Sequence, residues 1–359
     1  MTPEALATLR ELSDAFGLPG YEDEVRAVMA RHLKPVADVS YDRLGSIIAR
    51  KKGTAEEPRV MLPAHMDEVG LIVRQITPDG FLRFVTVGGW WPQVMLGQRW
   101  TVRTRQGDVT AYTGPRAPHL LSDEDRKKQV EPKDMVLDIG ARDEKEALAM
   151  GVRPGDPAAP YGAFVDLGNG RLLGKALDDR AGCAMVIEVL RRLAESDHPN
   201  TVYGVGTTQE EAGLVGAQTS AFAVAPHVAI VAEISVADDV PGKTQDGSYT
   251  ELGKGVALCI RDSGLIPNRR LREFVAQVAD EAGIPVQYVT MERGTTDGTR
   301  IQMHGEGVPT LYIGPPARYI HSHASIMDAA DFDGAVKLLV EVIRRLDRKT
   351  VDSFTQYEP

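Results

Sequence analysis

The sequence predicts an α/β protein: a mixed-sheet α/β/α domain interrupted by a small, β-rich, barrel-like insert. Three observations carry this reading. Short apolar runs at 60–64, Thr201–Thr207, 228–234 and 310–313 have the length and composition of buried strands, and segments with helical apolar spacing alternate with them. The stretch 71–165 breaks that alternation, with short strand patterns at 80–87, 99–105 and 108–114 separated by glycine-rich turns. The α/β alternation then resumes. The expected boundaries are 1–70 and 166–359 for a discontinuous α/β domain and 71–165 for the insert.

Taken in order, residues 3–16 and 22–33 show helical spacing and are separated by Gly17-Leu18-Pro19-Gly20. A short strand is expected at 46–50, and the run 60–64 ends at His65. The insert closes with Pro154-Gly155-Asp156-Pro157. Helices are expected at 181–194, 271–282 and 329–346, around the strands at Thr201–Thr207, 228–234 and 310–313. At 359 residues the chain is long for one compact core, which suits a domain with an insert.

Basic residues number 41 and acidic ones 51, a formal charge of −10. That balance makes nucleic acid and anionic membrane poor partners. The two cysteines, Cys183 and Cys259, are far apart and lack CxxC spacing, so neither a disulfide framework nor a cysteine zinc site is expected. Residues 1–18 carry charges throughout and lack the apolar core of a signal peptide. No run approaches the roughly 18 apolar residues of a membrane span. The expected setting is cytoplasmic.

The residues that carry chemistry lie at strand ends and helix starts. His65-Met66-Asp67 closes a strand, and residues i and i+2 of an extended chain share a face, so Asp67 is placed to support the imidazole of a metal-bound His. The same pair also suits an exposed strand end. Asp178-Asp179-Arg180 precedes a helix, either as acidic residues favoured by the helix dipole or with Asp178 bridging two ions and its neighbours supporting it. Glu210-Glu211 follows a buried strand, either as a solvated turn or as one metal ligand and one proton acceptor. Glu233 ends a very apolar strand, where burial without a partner costs several kcal/mol and a metal ion removes that cost; simple exposure removes it too. His321-Ser322-His323 offers one histidine to close the site, or a surface loop. Nitrogen and oxygen donors of this kind suit Zn, Co or Mn.

The segments Ala64-His65-Met66-Asp67-Glu68-Val69-Gly70, Lys175-Ala176-Leu177-Asp178-Asp179-Arg180-Ala181-Gly182, Thr208-Gln209-Glu210-Glu211 and Arg318-Tyr319-Ile320-His321-Ser322 resemble those of the tetrahedral aminopeptidases, the family that contains the glutamyl and deblocking aminopeptidases. Further matches at Pro118-His119-Leu120-Leu121-Ser122, Asp138-Ile139-Gly140-Ala141 and Gly151-Val152-Arg153-Pro154-Gly155-Asp156 keep the family order along nearly the whole chain. The resemblance implies a metallopeptidase domain with metal ligands at His65, Asp178, Glu211, Glu233 and His321, and Asp178 as the bridge. It implies Glu210 as general base and Asp67 as support for His65. It also implies two divalent ions per subunit, Zn first and Co or Mn as alternatives. The insert is implied to be a dimerisation domain, in dimers that build dodecamers. Two departures stand out: Glu233 occupies a position where the family usually has Asp, and His323 one where it often has Pro.

The expected function is removal of N-terminal residues from short peptides by a water molecule activated by two metals. Two readings compete with it. One keeps the scaffold and changes the substrate to a glycosidic bond or another amide, and the other makes the chain a non-catalytic peptide-binding shell protein. The sequence leaves side-chain preference open.

Overall fold

Strand Arg59–His65 is buried at six of its seven positions and lies inside an eight-stranded sheet. The order across that sheet is Asp38–Tyr41, Ile47–Lys52, Thr201–Thr207, Arg59–His65, Val228–Ala232, Thr310–Gly314, Val256–Arg261 and Val286–Thr290. The four central strands, from Thr201–Thr207 to Thr310–Gly314, are mutually parallel, whereas Asp38–Tyr41, Ile47–Lys52 and Val256–Arg261 join antiparallel. Parallel strands buried on both faces need continuous apolar runs, and these four have them. The computed structural model describes residues 1–242 and 249–357.

Two groups of helices pack on this sheet. Leu177–Ala194 lies against Arg59–His65 and contacts Pro3–Asp14, Asp23–Leu33 and Ala329–Arg345. Val215–Val224 packs with the short Gly298–Ile301 helix over the same central strands. Local chemistry fixes several ends. Thr2 caps Pro3–Asp14 by accepting the Ala5 N–H at 3.1 Å, and Asp328 caps Ala329–Arg345 by accepting the Ala330 N–H at 2.7 Å.

Two strands of the large sheet run straight into a second, five-stranded sheet, in the order Ser235–Val236, Pro316–Arg318, Ser325–Asp328, Arg171–Gly174, Val165–Gly168. This small sheet therefore sits beyond the C-terminal ends of the central strands, where α/β sheets place their sites.

A third sheet, entirely antiparallel, runs Leu82–Val87, Gly70–Ile76, Pro157–Pro160, Gln98–Thr104, Gly107–Thr113. Its outer strands are both bridged by one segment, Leu137 pairing with Leu82 and Asp138 with Tyr112. Its apolar side chains, among them Leu71, Val73, Phe84, Trp100 and Leu137, form a cluster distinct from the main core. The strand expected from residue 80 starts at Leu82, because Gly80 at φ +82° belongs to the preceding turn. The helix expected at 181–194 extends back to Leu177, with non-helical angles at Asp178 and Asp179.

Candidate metal-dependent active site

Four loops at the C-terminal ends of the central parallel strands converge on one cleft of about 410 Å³. His65 is the last residue of its strand, Glu210 and Glu211 follow Thr201–Thr207, and Glu233 follows Val228–Ala232. Asp178 arrives from the first turn of Leu177–Ala194, where the Asp178–Asp179 peptide bond is cis. His321 comes from the loop after Pro316–Arg318, with its backbone at φ +55°. All six side chains line the cleft.

Their donor atoms fall into two groups that share Asp178. His65 Nε2 lies 3.1 Å from Asp178 Oδ1 and 3.8 Å from Glu233 Oε1. His321 Nε2 lies 3.3 Å from Asp178 Oδ2 and 3.2 Å from Glu211 Oε1. Within each set, His65–Asp178–Glu233 and Asp178–Glu211–His321, one donor atom per residue lies within 4.8 Å of the others. The two oxygens of Asp178 thus face opposite halves of the site. In both imidazoles Nδ1 faces a backbone carbonyl, Asp67 O at 3.0 Å for His65 and Gly89 O at 2.7 Å for His321. A carbonyl only accepts, so Nδ1 carries the proton and Nε2 is left to bind a cation.

The electrostatics show a cleft that draws in positive charge, which protons on the two imidazoles supply in the absence of a metal ion. His65 is 2% exposed and Glu233 5%, and among the described residues no Lys or Arg pairs with Asp178, Glu210, Glu211 or Glu233. Burial pushes the Glu210 and Glu233 carboxyls well above the ordinary range, and the carboxylates around them push further. Burial opposes a charge on His321, but hydrogen bonds to Asp178 and Glu211 outweigh it and raise its pKa to about 11. Burial likewise opposes a charge on His65, yet Glu233 and Asp178 hold its pKa well above the usual value. So many buried acids with so little positive charge make a site that divalent cations would stabilise. The donor set, two imidazoles and three carboxylates, could hold divalent ions through nitrogen and oxygen.

Asp67 stands beside His65: its carbonyl faces Nδ1 at 3.0 Å and its carboxylate Oδ1 lies 3.7 Å from the same nitrogen. The fully buried Asp67 carboxylate also accepts the backbone N–H groups of Glu210 and Glu211, each at 2.9 Å. Asp179 and Arg180 stand as supports. Asp179 accepts from Gly182 N–H at 3.0 Å and His65 N–H at 3.2 Å. Arg180 is fully buried and donates to the carbonyls of Met66, Leu12, Ala15 and Gly17 and to Glu68.

His323 is not in the cleft; its ring packs on Trp100 and Trp90. One contributor escaped the sequence reading: the Gly89 carbonyl, which orients His321. Asp297, buried beside Thr207, accepts a hydrogen bond from its hydroxyl, a role the sequence did not assign. A backbone carbonyl leaves no trace in residue identity. Asp297 lies in the Thr295-Thr296-Asp297 segment, whose two threonines line the cleft with Met291 and Arg293.

The comparisons with known proteins point to one family. The M42 glutamyl aminopeptidase family matches residues 45–338. The crystal structure of a TET aminopeptidase from a marine sediment archaeon of the Thaumarchaeota superimposes with a TM-score of 0.95 and 45% identity, covering 98% of this chain and 99% of that one. The TET1 peptidase of Pyrococcus horikoshii, whose structure assembles into a tetrahedron or a large octahedral shell, superimposes at 0.86 with 32% identity over 95% of this chain and 100% of that one. The lysyl aminopeptidase of Pyrococcus furiosus is 36% identical over 346 residues, 94% of this chain and 97% of that protein. This chain, a peptide hydrolase, belongs to the M42 glutamyl aminopeptidase family.

Proposed function

We propose that the chain is a two-metal aminopeptidase that removes N-terminal residues from short peptides, with Glu210 as general base. The observation that carries this is the shared Asp178, whose two oxygens face His65 with Glu233 on one side and His321 with Glu211 on the other. His65, Asp178 and Glu233 would hold one ion, and Asp178, Glu211 and His321 the second. Zn suits these donors best, with Co or Mn as alternatives. When bound, the ions lower the pKa of a water and polarise the scissile carbonyl.

The remaining chemistry belongs to the protein. Glu210 reaches the same cluster as His65 and Glu211 but belongs to neither set that shares Asp178, which leaves it free to move protons. Its buried carboxyl has a raised proton affinity, the property of a group that takes a proton from the attacking water and delivers it to the departing amine. Asp67 fixes that group through the backbone. Cleft walls formed by Leu214, Ile234, Val236, Met291 and Ile320 would receive the substrate's first side chain.

We read 71–165 as a small barrel closed through Leu137–Asp138, inserted in a catalytic domain of 1–70 and 166–359, and as the dimerisation domain of a larger assembly such as a dodecamer. Among the described residues no helix is long and apolar enough to cross a membrane. The free, buried thiols of Cys183 and Cys259 suit a reducing, cytoplasmic setting.

Glu210→Gln tests the mechanism. The variant should bind two metal equivalents and lose about 10²- to 10⁴-fold in kcat on an aminoacyl-nitroanilide. Wild-type turnover in that variant would remove Glu210 from the reaction.

A further inference from the structure

His323 stands two residues beyond the ligand His321 and is 8% exposed. Neither of its ring nitrogens makes a hydrogen bond of normal geometry, and the Arg99 carbonyl that faces the ring already accepts the Tyr161 N–H at 3.1 Å. What the side chain contributes is its ring. The imidazole meets Trp100 edge-on with centroids 4.4 Å apart and lies 5.7 Å from Trp90; the two indoles are 5.3 Å apart. Both tryptophans belong to the inserted sheet and its loops, so the contact ties the insert to the His321 loop.

Both sides of that tie lead to the same metal ligand. On the insert side, Trp90 Nε1 donates to the carbonyls of Gly70 and Val87 at 3.2 Å, which pins the turn Gly88-Gly89. Gly89 then accepts the His321 ring N–H at 2.7 Å. A Cβ at Gly88 would lie 2.8 Å from Glu211 Oε2, so this turn presses on two ligands of the same half-site. On the His321 side, Tyr319 and His321 both adopt left-handed backbone angles, φ +61° and +55°, which non-glycine residues hold only where the surroundings enforce them. Ser322 and Ser325 bond the Tyr319 carbonyl, and His323 anchors the other end of the loop.

We infer that His323 is a positioning residue: clasped between Trp100 and Trp90, it sets His321 for the half-site that Asp178, Glu211 and His321 form, leaving the His65–Asp178–Glu233 half-site independent of it. The inference rests on the two-metal reading above and adds a selective dependence of one half-site on the insert. The ring, and not its nitrogens, is the required feature, so His323→Phe should keep the clasp and His323→Ala should break it.

The test is calorimetric titration of metal-free protein with Zn, followed by the visible absorption of Co in each variant. Wild type and His323→Phe should take up two equivalents with similar affinities. His323→Ala should take up the first equivalent normally and bind the second about 10- to 100-fold more weakly, the range for losing an outer support of a ligand. Its kcat at limiting Zn should fall and recover at saturating Zn, which a general loss of structure would not allow. Unchanged second-site affinity in His323→Ala, or equal weakening of both sites, overturns the clasp while leaving the two-metal reading intact. Fewer than two equivalents in wild type overturns both. Should His323→Ala lose its native circular dichroism, Trp90→Leu on the half-buried side of the cluster replaces it, with the same selective weakening expected and unchanged affinities again decisive against the clasp.

Discussion

Asp67 grips the chain at Glu210 and Glu211, one carboxylate oxygen on each backbone N–H at 2.9 Å. One buried side chain thereby fixes both the proposed base and a proposed ligand, while its own carbonyl fixes the His65 tautomer. Asp67→Asn would keep the shape but set an amide N–H₂ against one of the two backbone donors. Leaving a buried donor unpaired costs about 1–3 kcal/mol. The expected outcome is a stability loss of that size and a fall of about 10²-fold in kcat/KM, because the base depends on its placement. Denaturant unfolding and steady-state kinetics read the two effects, and a folded variant with wild-type kcat/KM would show that Glu210 does not depend on Asp67.

Much of this site was legible because its residues are ones the fold could tolerate there only for a reason. Glu233 at the end of a run of buried strand residues and Glu210-Glu211 after another were out of place as packing, and both prove to line the cleft. The long parallel strands were equally plain, since their apolar runs are continuous. What stayed hidden was set by backbone geometry and by distant contacts. The Gly89 carbonyl, the grip of Asp67 on Glu210 and Glu211, and the burial of His323 against Trp100 depend on segments far apart in sequence. Short or mixed elements such as Pro157–Pro160 and Val286–Thr290 carry too few residues for a period to register.

Arg180 offers a second test of how the floor of the site is built. Its guanidinium donates to four backbone carbonyls and to Glu68, whose other cationic partner is Lys175 Nζ at 2.6 Å. A lysine has three donors at one point and cannot reach carbonyls spread around a planar fork. Arg180→Lys should therefore strand several buried acceptors and destabilise the protein by about 3–5 kcal/mol, as breaking a buried ionic network does. The readout is the urea midpoint, and a change under about 1 kcal/mol would mean that water fills the vacated positions.

His198 gives a pH signature outside the cleft. It is buried, shares a hydrogen bond with Asn200 Oδ1 at 2.9 Å, and leaves Nε2 unpartnered. Burial lowers its pKa from 6.5, partly offset by Asn200. The unfolded chain takes up the proton at the ordinary value and the fold resists it. Stability from this group is thus complete above 6.5 and is lost as pH falls below it toward the folded pKa, at about 1.4 kcal/mol per unit of separation. His198→Gln keeps a donor for Asn200 and cannot titrate. The gap between wild type and variant should narrow between pH about 7.5 and about 5.5 in denaturant unfolding, and parallel curves would reject the assignment.

Metal removal should reveal how much of the fold's stability the cluster consumes. Asp178, Glu210, Glu211 and Glu233 converge in one cleft with two imidazoles as their only cationic partners among the described residues. Without divalent ions their mutual repulsion is relieved only by protons, a weaker compensation than a pair of double charges. An ion that binds only the folded state stabilises it by about 2.7 kcal/mol when present at 100 times its Kd. In domains of about 150–250 residues each kcal/mol moves Tm by roughly 2–4 °C, so in this longer chain the loss of each ion should lower Tm by at most roughly 5–10 °C. Differential scanning fluorimetry with EDTA, then with added Zn, Co or Mn, gives the measurement. Restoration of Tm by one of these ions in Asp178→Asn as fully as in wild type would deny Asp178 its bridging role, because the amide has only one oxygen to share between the two half-sites.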